Sequence, residues 1–321
     1  MRQNLLKDYL IYLESQMQEP DLSIEISGFK MGNPLMLASG ILGTTIASLR
    51  KVFEAGAGAV VTKSIGYEPR AGYENPTLVE VHGGYLNAIG LSNPGIREFY
   101  NELLESKIDD LPLIVSLFGS KKSEFRYMTS LLDKLNIKAY ELNLSCPHVM
   151  GFGNEVGQDP KAVRRIIESV KEETKKPVFV KLSPNVKDIV EIAKVAENSG
   201  ADALTVINTI RAMSIDIETF RPILANKIGG LSGPAIKPIA VRCVYEVSKE
   251  VKIPVIGCGG IMNWQDVIEF FLAGARAVQI GTAIAYEGLS IFEKIKKGIR
   301  DYLIIKGKKS VRDIVGLSHD F

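Results

Sequence analysis

Residues 178–210 read VFVKLSPNVKDIVEIAKVAENSGADALTVINTI. The first run, Val178–Pro184, is apolar without alternation, the pattern of a strand buried on both faces. A helical stretch follows over Asp188–Ser199. It carries Ile189, Ile192, Ala193 and Ala196 on one face and stops at Gly200. A second apolar run, Ala203–Ile210, then begins. Strand, helix and strand in so short a span is the parallel crossover unit. The unit recurs in both directions along the chain. Further runs lie at Pro34–Gly40, Ala59–Ile65, Leu113–Gly119, Ala139–Cys146, Pro254–Ile261 and Ala277–Ala283, making eight. Lys161–Thr174 reads as a helix entered through Asp159-Pro160, and Trp264–Leu272 as one ending near Gly274. Eight such units over about 250 residues predict an α/β fold, a closed (β/α)8 TIM barrel rather than an open doubly wound sheet. The long connections Gly66–Leu111 and Arg211–Lys252 are rich in glycine, proline and apolar residues. They predict ordered loop insertions over the carboxyl-terminal face. Residues 1–23 stand outside as an N-terminal helical extension, with Leu5, Leu6, Tyr9, Leu10, Leu13 and Met17 on one face. That face would pack on the barrel or on a neighbouring subunit. Residues 24–321 form the catalytic barrel.

Composition narrows the function. Lys plus Arg is 39 and Asp plus Glu is 37 in 321 residues, which leaves no footprint for nucleic acid. Charged residues at 24% and hydrophobic ones at 46% are ordinary for a globular chain. Three cysteines (Cys146, Cys243, Cys258) make neither a disulfide framework nor a four-thiolate cluster. His82, His148 and His319 have no metal-ligand spacing, so no metal is expected. With no long apolar run and no signal-peptide pattern, a cytoplasmic protein is expected.

In this fold chemistry sits at the carboxyl ends of the strands. Those ends carry Ser39-Gly40, Lys63-Ser64, Ser116, Asn143 to Cys146, Lys181 to Ser183, Asn208-Thr209, Gly259-Gly260 and Gly281-Thr282. The glycines after the seventh and eighth strands fit a phosphate approached by backbone N–H groups. A phosphorylated cofactor is their natural tenant. Lys63 and Lys181 sit inside apolar strands, where an ammonium is costly unless something anionic meets it. Either could be a Schiff-base amine or a cation set against an electron-rich cofactor. Cys243 and Cys258 read as small buried hydrophobes. Cys146 ends a strand and enters the glycine-rich loop 147–153, so it is a candidate thiolate base, and His148 makes a Cys–His pair conceivable. Asn87, Asn143 and Asn208 offer a donor and an acceptor each, which suits a flat imide ring.

These segments, in this order, resemble the class 1 dihydroorotate dehydrogenases, the cysteine-base flavin enzymes. The likeness runs from about Leu22 onward through Asn33–Gly40, Thr62–Ile65, Leu86–Leu91, Asn143–Pro147, Lys181–Asn185, Ile207–Thr209, Gly230–Ile236 and Gly257–Ile261. The resemblance implies FMN held by Ser39, Lys63, Ser64, Ser116, Asn143, Lys181, Ile207, Gly233, Gly259, Gly260, Gly281 and Thr282. It implies dihydroorotate held by Lys63, Asn87, Ala88, Ile89, Gly90, Leu91, Asn143, His148, Asn208 and Thr209. Cys146 would take the C5 proton while a hydride leaves C6 for flavin N5, with Lys63 as the second catalytic residue. Two positions depart from the family pattern. Many members have asparagine in place of His148, and many iron–sulfur-partnered members have it in place of Ser116. The Ser-Cys-Pro-His form is similar to dihydropyrimidine dehydrogenase domains, so a dihydrouracil-type substrate is the alternative, and a flavin-free Schiff-base lyase a more distant one. Lys63–Arg70 resembles the branch that works with an FAD/[2Fe–2S] electron-transfer subunit and NAD, and a homodimer is the family expectation.

Overall fold

The computed structural model describes residues 19–144 and 156–321. The predicted extension 1–23 therefore falls mostly outside the described residues. So do Cys146 and His148. The barrel strands are β1 (Leu35–Leu37), β2 (Ala59–Val61), β3 (Leu113–Leu117), β4 (Ala139–Asn143), β5 (Val178–Leu182), β6 (Ala203–Val206), β7 (Val255–Cys258) and β8 (Ala277–Ile280). They close into a barrel in sequence order, with β8 paired to β1 and every pairing parallel. The helices are α1 (Ile46–Glu54), α2 (Ile96–Glu105), α3 (Lys122–Leu132), α4 (Pro160–Lys171), α5 (Ile189–Asn198), α6 (Lys237–Glu250), α7 (Trp264–Leu272), α8 (Ala283–Glu287) and α9 (Ile291–Ile305). The eight-unit reading thus holds, and each strand lies inside its predicted run.

Helix boundaries follow local chemistry. The Asp159 side chain accepts from Lys161 N, with Pro160 opening α4. Asp188 accepts from Val190 N and Glu191 N at the start of α5. Asn263 and Asp266 form a reciprocal cap on α7. Each barrel strand is buried on both faces because helices cover the outside and side chains fill the inside. Fully buried Phe125, Phe270 and Phe271 pack in the layer between helices and strands. Burial of such a side chain contributes about 1.5–3 kcal/mol.

The inside of the barrel changes character along its axis. Met36, Ala59, Val61, Ile114, Ala139, Phe179, Ala203, Ile256 and Ala277 form one apolar cluster with Ile24, Ile26, Phe29 and Met31. The last four come from an antiparallel hairpin, Ile24–Ile26 with Phe29–Met31, that covers the amino-terminal end. Its two-residue turn has Ser27 at φ 50° and Gly28 at φ 84°, the primed-turn conformation that suits strand twist. Ser27 Oγ donates to Asp202 O at 2.6 Å and ties the turn to the chain just before β6. Two residues further along seven of the eight strands the side chain is polar or a thiol: Lys63, Ser116, Glu141, Lys181, Thr205, Cys258 and Gln279; on β1 it is Ala38.

The two long connections each contain the helix of their own unit, α2 and α6. Their remaining parts pair with one another. Leu78–Val81, Gly84–Asn87, Gly229–Ser232 and Ile210–Ala212 form an antiparallel sheet, ordered 210–212, 229–232, 84–87, 78–81. Among the described residues no helix is long and apolar enough to cross a membrane.

Candidate active site

A chain of polar side chains links the rims of β1, β2, β3, β4 and β6. Ser39 Oγ lies 3.3 Å from Ser64 Oγ, which lies 2.9 Å from Ser116 Oγ. Asn143 Nδ2 donates to Ser64 Oγ at 2.9 Å, and Asn208 Nδ2 approaches Asn143 Oδ1 at 3.5 Å. Thr209 N donates to Asn208 Oδ1, and Thr209 O accepts from Asn185 Nδ2. Ser116 is fully buried, so it supports Ser64 from behind instead of facing the mouth. Ser116 N in turn donates to Thr62 Oγ1 at 3.0 Å.

The two lysines differ. Lys63 is half-buried, and among the described residues its ammonium has neither an acceptor nor a carboxylate partner. Burial pushes its pKa below the ordinary lysine range. An uncompensated cation in such a place fits an anionic or electron-rich tenant. Lys181 is 5% exposed and donates from Nζ to Gln279 Oε1 at 3.1 Å. Burial works against its charge, but Cys258 and Glu141 more than offset that and hold the ammonium above its usual range. Burial pushes the Cys258 thiol up.

The glycines form an arc on the opposite rim. Gly233, Gly259 and Gly260 have φ of 104°, 128° and 76°, in the left-handed region that disfavours a side chain. Gly233 packs against Gly84 and Thr282, and Thr282 Oγ1 donates to Ser232 Oγ at 3.0 Å. Gly259 lies beside Ile207, and Gly260 lies against the first residue of α6, Lys237. No acceptor among the described residues takes the backbone N–H groups of Gly259, Gly260, Gly281 or Thr282. Unpaired N–H groups where two strands give way to helices make a cradle for a phosphate. The residues present therefore fit a flavin nucleotide, with a phosphate cradle on one side and on the other a lysine that has no counter-charge among the described residues.

The insertion sheet brings the 87–91 segment to this mouth. Asn87 Nδ2 donates to Gly230 O at 3.1 Å, while Gly230 itself packs on the Thr209 side chain, so tightly that a Cβ there would collide with it. Ala88 is buried, and Tyr73 N donates to Ile89 O at 3.1 Å. Gly90 and Leu91 have φ of 77° and 58°, a bend that turns the segment back under residues 72–73.

The structure thus brings Ser39, Ser64, Ser116, Asn143, Asn208 and Thr209 into one connected group. Gly233, Gly259, Ile207 and Thr282 adjoin through packing. Sequence reasoning passed over Glu141, Thr205, Gln279, Ser232 and Lys237. Glu141 carried a usable signal, a charged residue at the centre of a buried run, the same feature that singled out both lysines.

A barrel whose carboxyl-terminal rim offers a phosphate cradle, facing cations and a ring of amides defines a flavin-type oxidoreductase site. The family model for dihydroorotate dehydrogenase matches residues 21–303. The chain is 52% identical over 297 residues to the catalytic subunit of dihydroorotate dehydrogenase B (NAD(+)) from Pyrococcus furiosus, covering 92% of this chain and 98% of that one. The Pyrococcus horikoshii protein of the same name is 51% identical over 297 residues, covering 92% and 97%. The Methanothermobacter thermautotrophicus one is 49% identical over 301 residues, covering 93% and 99%. The chain belongs to the dihydroorotate dehydrogenase family: it is an oxidoreductase of pyrimidine biosynthesis that acts on dihydroorotate.

Proposed function

We propose that the chain is a class 1 enzyme that oxidises (S)-dihydroorotate to orotate with FMN, and that Cys146 is its base. The observation that carries this reading is the half-buried Lys63 ammonium, which has no counter-charge among the described residues, on a rim that also bears four backbone N–H groups with no acceptor among those residues. Gly259, Gly260, Gly281 and Thr282 would hold the phosphate. Lys63, Lys181, Ser39, Ser64, Asn143, Ile207 and Gly233 would line the ring system. When bound, FMN supplies a hydride acceptor. Asn87, Asn143, Asn208 and Thr209 orient the pyrimidine through amide and hydroxyl contacts. Asn143 is fixed by Ser64, and Asn208 by the Thr209 N–H, so neither amide must reorganise when substrate arrives. The Cys146 thiolate takes the C5 proton and a hydride leaves C6, which generates the C5–C6 double bond. The nearby lysine cations stabilise the negative charge that accumulates.

Anaerobic addition of dihydroorotate should bleach the flavin absorbance of the purified yellow protein. Reduction by dihydrouracil and not by dihydroorotate would transfer the assignment to the dihydropyrimidine enzymes. Undiminished flavin reduction by Cys146→Ala near neutral pH would remove the proposed base.

The relatives' names specify NAD(+) and a catalytic subunit. Those words support a partner subunit that passes electrons to NAD; the FAD and [2Fe–2S] cluster of that partner, and a homodimeric core, are what the resemblance of the chain to the partnered branch implies. Co-purification from the native source should recover the partner. Full-speed turnover of the isolated chain with fumarate would argue against it.

A further inference from the structure

Glu141 is fully buried inside the barrel and the chemistry above makes no use of it. A carboxylate there is costly unless its oxygens are matched. Only one of them is. Thr205 Oγ1 from β6 and Gln279 Nε2 from β8 both donate to Oε2, at 3.0 and 2.5 Å. Oε1 is buried with no hydrogen-bond partner among the described residues. An apolar residue would fill this place at lower cost, so a role for the charge is the economical explanation.

The strand register shows where that charge acts. On β4 and β5, Glu141 stands opposite Phe179, while Asn143 stands opposite Lys181. Lys181 is therefore at the level of the rim, and Glu141 lies one inward layer deeper. Gln279 joins them: its Oε1 accepts from Lys181 Nζ and its Nε2 donates to Glu141. The result is an oriented row, cation toward the rim and anion toward the interior, polarised through a single amide. The titratable groups facing Lys181 are Glu141 from β4 and Cys258 from β7. Thr205 and Gln279, from β6 and β8, are neutral.

We propose that Glu141, acting through Gln279, is the positioning residue that keeps Lys181 charged at the rim and thereby raises the reduction potential of the flavin. The proposal rests on the flavin reading above. A reduced flavin that has taken up two electrons and one proton is an anion, and a fixed cation beside it favours that state. Without Glu141, the 5% exposed ammonium would face its burial cost with only the Gln279 amide oxygen and the Cys258 sulfur for support.

The test is Glu141→Gln in the flavin-loaded protein, followed by spectroelectrochemistry across pH. The expected result is a fall of at least tenfold in the equilibrium constant for flavin reduction, about 30 mV toward negative for a two-electron couple. The fall should disappear at low pH, where Lys181 regains its proton. The double variant Glu141→Gln/Lys181→Met should lie no lower than Lys181→Met alone. Carbon-13 NMR of lysine Cε, with Lys181 assigned by its Met variant, should show Lys181 losing charge at lower pH in Glu141→Gln than in the wild type. Thr205→Val, which removes one donor and keeps the shape, should move both readouts the same way by less, and it stands in if Glu141→Gln does not fold. An unchanged or raised potential, or a Lys181 resonance that stays charged across the range, overturns the proposal. Should the purified protein hold no flavin, the functional reading fails, while the NMR measurement still decides whether Glu141 controls the charge of Lys181.

Discussion

Gly260→Ala is the sharpest test of the phosphate cradle. Gly260 has φ of 76°, and a Cβ there would lie 2.7 Å from Lys237 N and 2.8 Å from Lys237 Cα. Those are backbone atoms at the start of α6, and the Lys237 side chain is itself held by Asp266 and Glu269, each at 2.8 Å. The helix end cannot give way freely. A left-handed alanine costs about 1–2 kcal/mol by itself. The collision adds to this and moves the very N–H groups that would meet the phosphate. Each 1.4 kcal/mol of lost binding is about tenfold, so FMN affinity should fall on the order of 10–100-fold. Gly288→Ala is the control. Its φ is 65°, yet a Cβ there meets nothing within 4 Å. It should carry the conformational penalty alone and leave flavin affinity unchanged. Flavin fluorescence titration of the flavin-free protein reads affinity, and thermal unfolding without flavin reads stability. Wild-type affinity in Gly260→Ala, or equal losses in both variants, would refute the assignment of this turn to the phosphate.

Lys63→Met should stabilise the flavin-free protein near neutral pH while abolishing turnover. Burial lowers the folded-state pKa of Lys63 from 10.5, so the unfolded chain binds that proton more tightly. The charged lysine therefore costs stability below its folded pKa, and the advantage of the variant should fade as pH rises toward 10.5; thermal melts across pH check the sign. Asn87→Ala loses the hydrogen bond to Gly230 O and should raise KM for dihydroorotate about tenfold, with little change in the melting temperature. Asp188→Ala removes the acceptor for two N–H groups of α5 and should cost about 1 kcal/mol by denaturant unfolding, with no effect on flavin affinity.

The barrel was legible because a strand buried on both faces has no polar alternation to hide it. Val178–Leu182 and Ala203–Val206 stand out as apolar runs with a capped helix between them. The runs overshoot the strands because their last residues leave the ladder at the rim. Lys63 and Ser64 are such residues, with Lys63 N donating to Gly43 O instead of to a neighbouring strand, while Asn208, beyond the end of β6, still donates from its backbone N to Leu182 O. The insertion sheet was not read. Its strands are three or four residues long, two of them carry glycine, and they pair across great sequence distance, as Asn87 with Gly230. The hairpin at Ile24–Met31 has the right alternation but is too short to weigh against an eight-unit pattern. Glu141 itself was legible as a charged residue within a buried run, but its pairing was not: its partner Gln279 is 138 residues away, and nothing local links the two.

The hairpin tucked under the barrel has a kinetic consequence. Among the described residues, Ile24, Ile26, Phe29 and Met31 close the amino-terminal end of the barrel, which leaves the carboxyl-terminal rim as the approach to the site. A small oxidant that shares this rim with orotate would have to wait for it to leave, and the two half-reactions would then alternate. A protein that carries electrons away is spared the wait if it reaches the flavin from the side, so an attached electron carrier would let reoxidation proceed before the rim clears.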